Sequence, residues 1–202
     1  MFRSLLRCHP ERQRRISALA AFNIGVNGMI PVETLRQLYD YNYWARDRQL
    51  EACAALSDEQ FLRPMGNSFS SIRDTLAHLL FAEWVWQERW HGKSPSDADA
   101  QELAAEKFPN LDAIRERWRA VEGKVRGYLG GLNEQALDQP LTYLNLKGER
   151  YTYPLGQALF HLANHQTYHR GQVTALLRQL GAKAPHIDYL VKLDSAAKAQ
   201  VR

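Results

Sequence analysis

The chain has 202 residues, 45% of them hydrophobic and 24% charged, which fits one globular domain with an appended tail and argues against two domains. No run of eighteen apolar residues occurs, so no helix of this sequence is expected to span a bilayer. The formal net charge of +4 lies in residues 1–28, where Arg3, Arg7, Arg12, Arg14 and Arg15 stand against Glu11, and the remainder balances 21 basic with 21 acidic residues, without the basic surplus of a nucleic-acid binder.

Residues 1–28 are Arg-rich and poor in acids. They are expected to be either a disordered basic arm or the product of a start site placed ahead of Met29, where "MIPVETLRQLYDYNYWA" opens a clean domain. Residues 29–202 form the expected folded unit. Cys8 and Cys53 have neither metal-ligand nor disulfide-framework spacing, and a reducing cytoplasm is the expected compartment.

After Pro31, "VETLRQLYDYNYWARDRQLEACAAL" holds good helix formers and no internal Gly or Pro, which predicts a first long helix. In "SDEQF", Ser57 with Gln60 three residues on is a capping-box pattern for a short helical turn. "RPMGNSF" reads as a loop. A second long helix follows from Ser71, with Asp74 as a weaker acidic version of the same cap, an apolar series through Ile72, Leu76, Leu79, Leu80 and Trp84, and Gly92 as its stop. The polar stretch "KSPSDADAQELAAEKFPN" predicts a long connection with one helical turn.

The third long helix, "LDAIRERWRAVEGKVRGYLGGL", carries Leu111, Ile114, Trp118, Val121, Val125 and Leu129 along one stripe. In "LTYLNLKGERYTY", β-branched and aromatic residues flank Lys147-Gly148, which predicts a small β-hairpin. Pro154 suits the first position of a fourth long helix running to Leu180, with Gly181 as its stop, and "AKAPHIDYLVKLDS" is expected to pack back as an extended tail. Four long helices with long connections make an all-α four-helix bundle. A faint internal echo aligns "IRDTLAHLLF" with "LGQALFHLAN", placing His78 on His161 and pointing the second and fourth helices at one another.

"HLANHQTYHRGQ" spaces His161, His165 and His169 four residues apart. Each step of four turns the helix by about 40° and advances it about 6 Å, so the three share one face. An adjacent pair can converge on one metal ion, but the outer two sit about 12 Å apart along the axis, so a third ligand has to come from another element. His78, in the otherwise apolar "TLAHLLFAEW", is the natural supplier. Its alternative is a core histidine satisfied by a carbonyl or a Tyr hydroxyl, and the residues alone leave both readings open.

"NHQTYHRGQV" after Pro-Leu, with "SIRDTLAHLL" upstream and "YDYNYWA" in the first helix, resembles the DinB family of DinB/YfiT-like metalloenzymes across residues 30–195. The resemblance implies an up-down-down-up four-helix bundle. It also implies a divalent metal held by His78, His165 and His169, with His161 outside that triad as a supporting group, a core residue or an alternative ligand. Zinc fits an all-nitrogen tetrahedral site best, while nickel, iron and manganese share the ligand type. Relatives that transfer or isomerise with low-molecular-weight thiols imply a metal-dependent S-transferase on a small-molecule substrate, with the thiol as cosubstrate. Metal-dependent hydrolysis and a non-catalytic metal-binding bundle of a stress response are the alternatives. The family name describes damage-inducible expression and implies no DNA contact, and its relatives imply a homodimer.

The absence of Glu-x-x-His pairs argues against a di-iron centre, and Gln166 after His165 excludes the zincin motif. No general base is identifiable, since Glu83, five residues after His78, is rotated away from it. Asn164 and Gln166 could support the ligands, Arg170 and Gln172 continue the motif as surface, interface or substrate-contacting groups, and Tyr43 and Trp44 are the aromatics expected at a pocket mouth. His91 and His186 are expected to have no catalytic part.

Overall fold

The computed structural model describes residues 30–200, so the expectations for residues 1–28 fall outside the described residues. Four long helices dominate: α1 (Val32–Cys53), α3 (Ile72–Trp90), α5 (Leu111–Gly130) and α7 (Leu155–Gln179). Between them come α2 (Asp58–Leu62), α4 (Asp97–Gln101), a 3-10 turn (Ala105–Lys107) and α6 (Glu134–Leu137). A hairpin of β1 (Pro140–Leu144) and β2 (Arg150–Pro154) precedes α7, and α8 (Tyr189–Gln200) follows it.

Local chemistry sets most of these ends. Ser57 and Gln60 close the capping box of α2, satisfying two amides that the helix start would leave bare. Ser71 accepts from the Asp74 amide at the start of α3. The reciprocal half of that cap does not form, because the Asp74 carboxylate accepts from Arg73 Nε at 2.9 Å instead. Gly181 takes φ +75° just past α7, a conformation that a β-carbon would strain. Pro154 ends β2 and caps α7 one residue earlier than the sequence pattern placed it.

Helix directions follow from named cross-contacts. Tyr39 donates to the Leu159 carbonyl at 2.9 Å and Gln49 to the Arg170 carbonyl at 2.7 Å, so α1 and α7 run parallel. Arg36 reaches the Leu129 carbonyl and Arg115 the Leu50 carbonyl, so α1 and α5 are antiparallel. Trp118 meets Glu83 and Tyr128 meets the Trp90 carbonyl, which makes α3 and α5 parallel. Gln166 donates to the Leu79 carbonyl at 2.9 Å while Trp86 packs on His161, which makes α3 and α7 antiparallel. In chain order the four helices are therefore up, down, down and up.

The core is the shared interior of these helices, with Trp118, Leu35, Ile72, Leu76, Leu79 and Leu159 among its largest fully buried side chains. The α5 stripe buries Ile114, Trp118, Val121, Val125 and Leu129 as the spacing predicts, while Leu111 at its start is only half-buried. In the hairpin, Leu141 pairs with Tyr153 and Tyr143 with Tyr151, while Asn145 Oδ1 accepts from the amides of Lys147 and Glu149 at the turn. The connection between α3 and α5 is more ordered than its polarity suggests, because Ala100, Leu103 and Phe108 turn into the core.

The extended tail is a correction. Residues from Tyr189 form a helix, with the Asp188 carbonyl accepting from the Val191 and Lys192 amides at its start. Its run "YLVKLDSAAKAQ" contains strong helix formers, and Tyr189 packs edge-on against Tyr41 at 5.2 Å. The tail thus docks on α1 through an aromatic contact.

Candidate metal centre

The bond from Gln166 to the Leu79 carbonyl fixes the register of α7 against α3 beside the histidines. With that register His78 faces His165 and His169, the ring centroids lying 5.0 and 4.6 Å away. One ring nitrogen from each of the three lies within 4.8 Å of the others, the one group of three or more such side chains found among the described residues. His78 is 8% exposed and His169 1%.

Nε2 of His78 lies 3.2 Å from Nε2 of His165. Two ligands of a tetrahedral zinc, at bonds of about 2.0–2.1 Å, would stand about 3.3 Å apart. His169 presents Nε2 as a buried atom with no partner among the described residues. Its Nδ1 is 2.6 Å from Gln172 Oε1, and Gln172 Nε2 donates to Ser68 Oγ at 2.8 Å. An amide oxygen can only accept, so Nδ1 carries the proton and Nε2 keeps a bare lone pair. Nδ1 of His78 and Nδ1 of His165 are buried and have no partner among the described residues.

Burial, then the neighbouring histidines, drives the His78 pKa down to about 2, and the same causes take His165 to about 3. Burial also lowers His169, against the opposing hydrogen bond to Gln172. All three rings are therefore neutral at physiological pH, the state in which imidazole binds metal. The donor set, the unpartnered Nε2 and the spacing fit a divalent cation.

Phe69, from the loop between α2 and α3, stacks on His78 at 4.1 Å and packs on His169 at 5.4 Å. Phe69 also lines a cavity of about 660 Å³ together with Asp74, Ala77, His78, Phe81, Leu103 and Glu106. No periodicity marks Phe69, and Asp74 reads as a helix cap; its only other signal is its place one turn ahead of His78.

His161 stands apart, its ring 6.0 Å from His165 and 5.2 Å from Trp86. The internal echo therefore does not give the contact partner of His78. Tyr43 and Trp44 do not line the cavity. Tyr43 is buried and donates to Glu83 at 2.9 Å, whose other oxygen accepts from Trp118 at 2.8 Å, while Trp44 carries Arg48 over its ring at 4.6 Å. Glu83 is thus committed to the core, its pKa raised by burial. Gln166 serves the helix interface. Arg170 is buried, donating to Asn42 and Thr167, because Asn42 and Tyr41 of α1 cover it.

Comparison with known proteins agrees with this architecture. The model of the DinB family matches residues 29–201. Protein DinB of Bacillus subtilis is 30% identical over 154 residues, covering 76% of this chain and 90% of that protein. Among solved structures, a DinB-like protein from Bacillus cereus superposes with a TM-score of 0.58 at 20% identity, covering 77% of this chain and 97% of that one. YfiT from Bacillus subtilis, described as a probable metal-dependent hydrolase with an unusual four-helix bundle topology, gives 0.60 at 16% identity over 77% of this chain and 93% of its own. A mycothiol-dependent maleylpyruvate isomerase gives 0.53 at 15% identity, over 71% of this chain and 61% of that chain. The family model spans residues 29–201 and Protein DinB is 30% identical over 76% of this chain, so the chain belongs to the DinB family.

Proposed function

We propose that this protein is a metal-dependent enzyme acting on a small molecule, with His78, His165 and His169 as ligands of one divalent cation. The observation that supports it most is the meeting of three neutral imidazoles from two helices beside a cavity of about 660 Å³. Zinc suits three nitrogen donors with a fourth position open, and nickel, iron and manganese accept the same donors. A cation held by neutral ligands keeps its full charge and would lower the pKa of a water or a thiol presented to its open position.

The protein's own residues supply the rest. Burial keeps His78 and His165 unprotonated. Gln172 fixes the tautomer of His169, and Phe69 keeps bulk water off the rings.

Cys53, the one cysteine among the described residues, does not supply a thiol nucleophile. Cys53 is buried near Arg115, and burial pushes its thiol up to about 12. Conjugation of a low-molecular-weight thiol to an electrophile is the first reading, in line with the mycothiol-dependent neighbour. Hydrolysis is the second, in line with the description of YfiT.

Metal analysis of protein purified without a His tag tests the site. About one ion per chain is expected, falling several-fold in His78→Ala and His165→Ala. Less than about 0.2 ion per chain, unchanged in both variants, would remove the enzyme reading. With a chromogenic electrophile, turnover that requires an added thiol selects transfer, and turnover without one selects hydrolysis.

A further inference from the structure

Arg89 lies in the last turn of α3 and is 9% exposed. Its guanidinium carbon stands 4.8 Å from the ring centre of Trp86 and 4.2 Å from that of Tyr143. Those two rings meet at 5.2 Å and 70°, so the cation rests in an aromatic corner between α3 and β1. Its Nε is buried without a partner, and among the described residues no carboxylate or other acceptor bonds the group. Glu88, its acidic neighbour, turns away to Lys93 at 2.7 Å and Lys124 at 3.9 Å.

A buried cation without a counter-charge is unfavourable, and aromatic faces offset only part of the lost hydration. Burial accordingly lowers the Arg89 pKa. The same Trp86 ring touches His161, whose ring lies 6.0 Å from His165. Together they make a continuous strip from the aromatic corner to the histidine cluster, with Arg89 about 16 Å along α3 from His78.

We propose that Arg89, in its corner of Trp86 and Tyr143, binds the oxyanion of a small ligand, a carboxylate or a phosphate group. The Trp86 and His161 rings lie between that corner and His165. The ligand is therefore elongated, anionic at one end and reactive at the other. The reactive end rests on the metal reading, whereas the anion contact does not.

The test uses the full chain, stripped of metal by chelator and, separately, loaded with zinc. Sodium benzoate and sodium phosphate are titrated at constant ionic strength, with benzamide as the uncharged analogue, and binding is read by tryptophan fluorescence and by the shift in Tm. Saturable binding of benzoate or phosphate is expected with and without zinc, weakened about tenfold or more in Arg89→Gln and unchanged in Arg178→Gln. Whichever anion saturates at lower concentration assigns the group. Arg89→Lys keeps the charge and removes the planar fork, so it reports on recognition should Arg89→Gln fail to fold, and it too should weaken binding.

Equal binding of benzamide, no saturable binding of either anion, or undiminished binding in the Arg89 variants that fold overturns the inference. So does anion binding that needs zinc and is lost in His165→Ala, since the anion would then sit on the metal. A chain that takes up no zinc in the loading step yet binds benzoate through Arg89 would sink the metal reading and leave this one standing.

Discussion

Acidifying the metal-free protein should destabilise it through the histidine cluster itself. The folded state holds His78 at about 2 and His165 at about 3, both neutral, while the unfolded chain restores an ordinary imidazole near 6.5. Above about pH 7 neither state takes up a proton and the two groups contribute nothing to the pH dependence. Below about pH 6.5 the unfolded chain binds protons that the folded one refuses, so stability falls with pH down to about the folded values. At pH 5 each group amounts to about 2 kcal/mol, and discounting the partly exposed His165 leaves about 3 kcal/mol for the pair. Urea unfolding in chelator at about pH 7.5, 6.5, 5.5 and 5.0 measures this, comparing wild type with His78→Gln/His165→Gln. Wild type should lose about 3 kcal/mol more than the double variant over that range. Parallel losses, with a difference that stays within about 0.5 kcal/mol, would show that the rings are not held neutral and refute the reasoning.

Gln172→Ala removes the acceptor that orients His169, and metal affinity should drop about 10–100-fold in competition with a chromogenic chelator while the fold is kept. Phe69→Ala uncovers His78, so modification of that ring by diethyl pyrocarbonate, read by mass spectrometry, should accelerate several-fold relative to His91. An unchanged rate would mean that Phe69 does not shield the cluster. Glu83→Ala orphans the Tyr43 hydroxyl and the Trp118 indole at about 1–3 kcal/mol each, so a loss of about 2–6 kcal/mol is expected in urea unfolding, with metal content unaltered.

Much of the fold could be read ahead of the structure because its determinants are local. The α5 stripe, the Ser57 and Ser71 caps and the turn around Lys147-Gly148 each depend on residues within a few positions of one another. The C-terminal helix was hidden because Pro185 and the polar residues before Tyr189 dominate the pattern there, and its docking involves Tyr41 of α1, far away in sequence. Buried cations were equally invisible. Whether Arg170 or Arg89 faces water depends on Asn42, Tyr41 and Tyr143, which lie far away in sequence.

The site was legible in part. Helical spacing grouped His161, His165 and His169 on one face but could not say which pair meets His78. Family resemblance singled out the triad, and the geometry that brings it together depends on the α3/α7 register held by Gln166. Phe69 lay beyond reach, since loop residues carry no period and its contacts arise only when α2, α3 and α7 come together.

Ser68 and Phe69 are adjacent in the chain, one tied through Gln172 to His169, the other lying on His78. The cover of His78 and the orientation of His169 therefore hang on one two-residue segment of the chain, so a single local disturbance there reaches two of the three imidazoles at once.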